Sequence, residues 1–386
     1  MATLRLPTAD HRLEEFTTSP SRAFPPASPP YPRVALAAVH VVADPLADVD
    51  PWLQPAIDWD RTIAYRRYLW SLGLGVAEAM DTAQRGMGLD WPTSLELIRR
   101  SLDAARAVPG AVIACGAGTD HLAPGAGVSL DDVIRAYEEQ CEAVEALGGR
   151  IILMASRALA ACAQSPDDYA RVYGRILRQV RQPVIIHWLG EMFDPALAGY
   201  WGHAETAAAM ETCLGVLHDN AAKVDGIKIS LLDKDREIAM RRRLPRCVRM
   251  YTGDDFNYAE LIAGEGGEKS DALLGIFDAI APAAAAALGS LKRNDLTTFH
   301  EILAPTVPLS RHIFKAPTRF YKTGVVFMAY LNGHQDHFTM VGGQQSARSL
   351  PHLAELFRRA DAAGLLIDAD AATHRMRRVL AIHGVD

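Results

Sequence analysis

The sequence predicts an α/β chain in three parts: a short N-terminal hairpin with a proline-rich arm over residues 1–32, a (β/α)8 TIM barrel over 33–283, and a C-terminal helical domain over 284–386. Three observations predict it. Short apolar runs of strand length alternate with helical patterns eight times, at spacings of about 35 residues, the rhythm of a (β/α)8 barrel. Most of these runs are apolar throughout, as expected for parallel strands covered on both faces. Beyond about residue 283 the strands stop while the helical patterns continue.

Thr3-Leu4-Arg5-Leu6 and Leu13-Glu14-Glu15-Phe16-Thr17 read as a hairpin around Thr8-Ala9-Asp10. Phe24–Pro32 then reads as extended, because proline fixes φ and lacks an N–H donor. Packing of this arm on the barrel and packing on a partner subunit are both open. The barrel strands are expected at Val34–Val42, Gly75–Met80, Ala111–Gly116, Arg150–Ala155, Pro183–Trp188, Gly226–Ser230, Val248–Thr252 and Ala272–Phe277, with Val248–Thr252 the least marked. A doubly wound open sheet is the alternative, but no G-x-G-x-x-G follows the first strand.

The intervening helices are expected at Asp58–Leu72, Thr93–Val108, Ser129–Leu147, Ser165–Val180, Glu205–His218, Asp235–Arg243 and Asn257–Ala263. Thr93 and Glu96 have the spacing of a capping box, and Ile134, Tyr137 and Cys141 share one helical face. Helices are also expected at Ala284–Lys292, Thr297–Phe314, Thr318–Tyr330, Leu350–Ala363 and Ala371–Ile382, and the alanine run within Ala281–Ala287 favours helix.

At 386 residues, 49% of them hydrophobic, the chain can bury a large core. Lys and Arg number 40 against 46 Asp and Glu, a net charge of −6, which gives no reason to expect nucleic acid or an anionic membrane as partner. The Arg241–Arg246 cluster reads as solvated surface. The cysteines (Cys115, Cys141, Cys162, Cys213, Cys247) include no C-x-x-C pair, which fits free thiols in a reducing cytoplasm better than disulfides or a zinc site. No apolar leader core and no run of eighteen apolar residues occurs. A soluble cytoplasmic protein is expected.

Lysine is almost never fully buried without a partner, yet Lys228 sits inside the strand-like run Val224-Asp225-Gly226-Ile227-Lys228-Ile229-Ser230. Residues two apart share a strand face, so Lys228 points the same way as Gly226 and Ser230. A buried ammonium escapes its desolvation cost by a lowered pKa, and the resulting neutral amine is a Schiff-base nucleophile. A lysine at a strand end that snorkels to water or pairs with a carboxylate is the alternative.

Active sites of such barrels lie at the C-terminal ends of the strands. This selects His40, Glu78, Asp81, Thr82, Gln84, Asp120, His121, Ser156, Arg157, His187, Lys228, Asp254 and Asp255. The Arg157 guanidinium suits a substrate carboxylate, or else an ion pair with Asp81 or Glu78. His187 suits general acid or base work, or a core hydrogen bond. Ser156 and Thr82 can relay a proton or hold a carboxylate oxygen, though a hydroxyl is a poor acid unaided. Asp81 can be base, metal ligand or partner of Arg157. Asp254 and Asp255 can orient Lys228 or cap the next helix, with capping favoured for Asp255. His40 ends its strand alone and reads as structural. Gly116-Ala117-Gly118-Thr119 resembles a phosphate-cradling turn, a weak pattern.

Asp225-Gly226-Ile227-Lys228, followed by Thr252-Gly253-Asp254-Asp255, resembles the Gly-Ile-Lys and Ser-Gly-Asp-Asp pair of the dihydrodipicolinate synthase / N-acetylneuraminate lyase superfamily. Pro183-Val184-Ile185-Ile186-His187-Trp188 occupies the slot of that family's fifth strand. Ile57-Asp58, Gly73–Arg85, Val112–Gly116, Phe314 with Pro317, and Lys322 also fall in register, so the resemblance spans residues 33–370. It implies a barrel with a C-terminal helical domain, a homo-oligomer (dimer or tetramer), and a Schiff base between Lys228 and a 2-oxo acid such as pyruvate. Two motifs depart. The family's Gly-Thr-Thr-Gly-Glu, which holds the keto-acid carboxylate, corresponds to Asp81-Thr82-Ala83-Gln84-Arg85, where Thr82 keeps a hydroxyl. The strand-four Pro-Tyr-Tyr falls on Ala155-Ser156-Arg157, without the tyrosine that relays protons. The chain reads as a divergent branch.

The expected activity is therefore that of a Schiff-base lyase or aldolase on a small 2-oxo acid, with no cofactor. Lys228, His187 and Ser156 are its catalytic candidates, and Arg157, Thr82, Asp81, Gln84 and Asp254 its substrate-binding candidates. The alternatives are a metal-dependent barrel enzyme using His40, Glu78, Asp81, His187 and Asp254, and a metabolite-binding barrel without chemistry.

Overall fold

The structure, a computed structural model, describes residues 2–385. Strands β1 (Thr3–Pro7) and β2 (Leu13–Thr17) form an antiparallel hairpin with Thr3 opposite Thr17 and Pro7 opposite Leu13. Eight parallel strands then close a barrel: β3 (Ala35–Ala38), β4 (Gly75–Glu78), β5 (Ile113–Ala117), β6 (Ile151–Leu153), β7 (Val184–Leu189), β8 (Val224–Ser230), β9 (Arg249–Thr252) and β10 (Asp271–Leu274). Each pairs with the next in chain order, and β10 closes the ring on β3 with Ala272 beside Ala35. The fold is thus the (β/α)8 barrel that the alternation predicts.

The helices that follow the strands are α1 (Trp59–Ser71), α2 (Trp91–Arg106), α3 (Leu130–Ala146), α4 (Arg157–Cys162), α5 (Pro166–Gln179), α6 (Thr206–Asp219), α7 (Lys234–Arg241) and α8 (Tyr258–Ala263). After β10 come α9 (Ile276–Ala279), α10 (Ala281–Lys292), α11 (Leu296–Leu303), α12 (Thr306–Ile313), α13 (Tyr321–Leu331), α14 (Leu350–Ala362) and α15 (Ala369–Ile382). None of the described helices is long and apolar enough to cross a membrane.

Local chemistry sets the boundaries. Ser129 caps α3 in a reciprocal box with Asp132. The box expected at Thr93 does not form, because α2 starts earlier: Pro92 suits a first turn, and Asp90 caps it by accepting the Thr93 N–H at 2.9 Å. The expected Thr297–Phe314 helix is two, α11 and α12, with Pro305 at the break. The last barrel strand ends sooner than expected, at Leu274, and Ile276 already opens α9.

By compactness the described chain divides into two units. One holds the chain up to Pro32, His40–Leu74, and everything from Gly275; the other holds Arg33–Val39 and Gly75–Leu274. In the first, the hairpin packs on α14 of its own chain. The Phe16 ring stands edge-on to Phe357 at 6.1 Å, and Arg358 donates to the Leu6 and Pro7 carbonyls. The core of this unit includes α13, which is buried on every side.

The second unit contains the barrel. Its interior is filled by Leu36, Ala38, Ala77, Met80, Ala114, Ile152, Ile185, Tyr251 and Leu273. No side chain of β8 joins this cluster, and the reason lies in register. Gly226 stands beside Ile185, and Lys228 beside Tyr251. Paired residues of neighbouring parallel strands share a face, so the inward positions of β8 are Gly226, Lys228 and Ser230. A Cβ on Gly226 would lie 2.6 Å from the Tyr251 ring, so the glycine leaves the room that this ring fills.

Candidate active site

Lys228 sits two residues before the C-terminal end of β8, on the inner face, and is 4% exposed. Its register neighbour on β7 is His187, which also faces inward and is buried. His187 Nε2 lies 3.3 Å from Ser230 Oγ. Gly253, just past β9, closes the third side: a Cβ there would lie 2.8 Å from Lys228 Cε and 2.3 Å from Ser230 Oγ. The lysine stem therefore runs through space that this glycine leaves open.

Electrostatics follow from this burial. Desolvation lowers the Lys228 pKa below the ordinary lysine value, and the carboxylates of Asp81 and Asp255 oppose the shift without cancelling it. Burial also drives the His187 pKa well below the usual imidazole range, and the charge on Lys228 adds to this while Asp81 opposes it. His187 is accordingly a neutral imidazole at physiological pH. Lys228, His187, Asp81, Asp255, Ser230 and Gly253 thus form one interacting group.

The other predicted residues have their own engagements. Thr82 is buried in the short turn Asp81–Ala83, and Gln84 follows with a left-handed backbone (φ 66°), donating to the Met87 carbonyl at 3.3 Å. Arg85 is held by Asp120, with Nη2 to Oδ1 at 2.6 Å, and by the Gly116 carbonyl at 2.7 Å. The Gly116–Thr119 turn thus contributes a backbone carbonyl to an arginine. Ser156 caps α4, its Oγ accepting the Leu159 N–H at 2.9 Å and lying 2.6 Å from Thr119 Oγ1. Arg157 is half-exposed and pairs through Nε with Asp194 at 2.5 Å, not with Asp81 or Glu78. Glu78 faces away from the barrel interior, accepting from Ser101 at 2.5 Å and from the Ala79 N–H at 2.9 Å.

Two aspartates follow β9. Asp254 accepts the Phe256 and Asn257 N–H groups at 2.8 and 3.0 Å and the Asn257 side chain at 2.7 Å, so Asp254 caps the turn that leads into α8. Asp255 is the one whose charge reaches Lys228. His40 belongs to the other unit, where its Nδ1 meets Asp278 Oδ2 at 2.8 Å. Among the described residues no three His, Cys, Asp or Glu side chains are grouped to hold a metal ion.

One group escaped sequence reasoning. The Ser156 N–H donates to the Tyr200 hydroxyl at 3.0 Å, and that hydroxyl lies 2.9 Å from the Tyr173 hydroxyl. A phenol therefore does stand at the end of β6, delivered from the loop after β7. Gly199 and Gly202 take positive φ around it, and Trp201 (φ 70°) is buried against Tyr173 at 4.7 Å. Burial pushes the Tyr200 pKa up, so the phenol keeps its proton. No periodicity announces a side chain carried by such a loop.

A family model described as "Protein of unknown function (DUF993)" matches residues 4–385. The chain belongs to the DUF993 family. No curated protein sequence matches it significantly. Among solved structures, this DUF993 chain is similar to dihydrodipicolinate synthase of Thermotoga maritima, with 15% identity over 86% of this chain and 99% of that one and a TM-score of 0.64. The enzyme of Aquifex aeolicus aligns over 87% and 99% at 12% identity with a TM-score of 0.63. A prophage protein of E. coli K12 from the dihydrodipicolinic acid synthase family, solved in complex with pyruvate, aligns over 92% and 99% at 12% identity with a TM-score of 0.63. The resemblance read from the motifs around Lys228 thus reappears as a likeness of fold.

Proposed function

We propose that this protein is a Schiff-base lyase or aldolase acting on a small 2-oxo acid through Lys228. The observation that carries this reading is the buried, inward-facing amine at the C-terminal end of β8, with its pKa lowered and a neutral imidazole beside it. The pyruvate bound by the E. coli K12 protein of the same fold supports the substrate class.

In the proposed step the Nζ lone pair attacks the ketone carbon and the C=O π pair moves to oxygen. That oxygen takes two protons and leaves as water, and the resulting iminium accepts the electron pair when a C–H or C–C bond on the adjacent carbon breaks. His187, uncharged and within reach of Ser230, passes protons without adding a second positive charge beside the iminium. Arg157 and Thr82 hold the carboxylate, with Arg157 exchanging Asp194 for the substrate. Ser156 and the Tyr200 phenol form the polar wall at β6.

Borohydride reduction in the presence of a panel of 2-oxo acids tests the proposal. Hydride adds to the imine carbon and leaves a stable secondary amine on Lys228, which peptide mass spectrometry identifies. Well-folded protein that yields no adduct with any member would overturn the reading.

A pH dependence follows. Asp255 raises the Lys228 pKa, so Asp255→Asn leaves desolvation less opposed and lowers that pKa further. The acid limb of the adduct-formation rate should move to lower pH. An unmoved or opposite limb would show that Asp255 does not act on Lys228.

A further inference from the structure

At the end of β6 hydroxyl groups hold the chain where the sheet no longer does. β6 is three residues long, and its ladder to β7 stops with Leu153 beside Ile186, while β7 runs on to Leu189. Residues 154–156 therefore have no β7 ladder to pair with. Met154 still donates to the Ala117 carbonyl at 2.8 Å, on the β5 side. Its own carbonyl accepts the Tyr137 hydroxyl from α3 at 2.6 Å. The Ser156 N–H has the Tyr200 hydroxyl, at 3.0 Å, as its one partner among the described residues, and Ser156 Oγ lies 2.6 Å from Thr119 Oγ1. All of these residues belong to the unit that contains the barrel.

Tyr200 is itself firmly held. Its hydroxyl lies 2.9 Å from that of Tyr173 on α5, and its ring stands edge-on to Tyr169 at 4.9 Å and to Trp201 at 5.4 Å. The loop that carries it is pinned at Gly202, where a Cβ would lie 2.8 Å from the backbone nitrogen of Pro166, the first residue of α5. Ser156, Tyr173 and Tyr200 are all buried. Without the Tyr200 oxygen the Ser156 N–H would be a buried donor with no acceptor, and a chain in that position shifts until it finds one. The next residue is Arg157, whose guanidinium reaches Asp194 from this backbone. A side chain that is to grip a substrate carboxylate needs its root held to within about 0.5 Å.

We propose that Tyr200, backed by Tyr173, is a positioning residue for the carboxylate end of the 2-oxo acid. It fixes the Ser156 backbone, and so sets the root of the Arg157 side chain and the direction of the Ser156 hydroxyl before substrate binds. This role rests on the Schiff-base reading above and adds to it the way in which a loop residue builds the carboxylate site. Tyr200 acts through Ser156 and Arg157 and not on the reacting atoms. It therefore governs affinity for the carboxylate and leaves the chemistry at Lys228 alone.

Reductive trapping of Lys228 in the full chain tests it, with pyruvate, 2-oxobutyrate and 2-oxoglutarate as the 2-oxo acids and acetaldehyde as a carbonyl compound without a carboxylate. In Tyr200→Phe the half-saturating concentration of the best-captured 2-oxo acid should rise about tenfold. The limiting rate of adduct formation and the trapping of acetaldehyde should stay within about twofold of wild type, with the pH profile unmoved. Tyr173→Phe, which removes only the backing hydroxyl, should move the half-saturating concentration the same way by about threefold, and it decides the matter if Tyr200→Phe fails to fold by circular dichroism. An unmoved half-saturating concentration, a fallen limiting rate, a shifted pH profile, or an equal loss with acetaldehyde would each overturn the positioning role, the last by showing a merely structural defect. Wild-type chain that captures none of the 2-oxo acids would remove the Schiff-base reading itself, and this role with it.

Discussion

Replacing Lys228 by alanine is expected to abolish borohydride capture and to lower turnover of any 2-oxo acid substrate by roughly 10^4-fold or more, the scale seen when a covalent nucleophile is removed. The loss belongs to the chemical step, so it should appear in kcat at saturating substrate. The fold should survive. A desolvated ammonium contributes little net stability, while Asp81 and Asp255 lose a favourable counter-charge, and these terms oppose one another. Thermal melts followed by circular dichroism separate the two roles. A Lys228→Ala protein that still turns over substrate would exclude the Schiff base, and one that simply unfolds would make the lysine a structural residue.

Gly253→Ala should combine a stability loss of about 1–3 kcal/mol, the usual cost of overpacking, with slowed capture at Lys228. The new methyl would lie 2.5 Å from the Ile229 carbonyl oxygen, a backbone atom held in β8, as well as close to Lys228 Cε and Ser230 Oγ. The side chains can turn aside but the carbonyl cannot, so the strand end must shift. Urea unfolding reads the first effect and the rate of reductive trapping reads the second. Wild-type values for both would mean that Gly253 does not set the path of the lysine stem.

The barrel was legible because parallel strands buried on both faces leave near-continuous apolar runs, and even Val248–Thr252 became a strand. Lys228 was legible because a charged residue is rare inside such a run, and period two already aligned it with Gly226 and Ser230. What could not be read was the conformation of loops. Arg157 stands at the strand end as expected, yet its partner is Asp194, a loop residue 37 positions away. Tyr200 depends on backbone turns with positive φ that no side-chain pattern encodes. Asp254 and Asp255 are adjacent in one turn, where either carboxylate suits capping chemistry, and only the geometry shows that Asp254 accepts the Phe256 and Asn257 N–H groups. The His40–Asp278 contact joins residues 238 positions apart.

The pairing of Ala35 with Ala272 also has a consequence in time. A chain leaving the ribosome at about 5–20 residues per second exposes the free edge of β3 for roughly 10–50 s before its partner β10 is made. During that interval the N-terminal strand offers unpaired N–H and C=O groups to any neighbouring chain. The vulnerable moment in this protein's life is its synthesis, and chaperone demand should fall once Leu274 has cleared the exit tunnel.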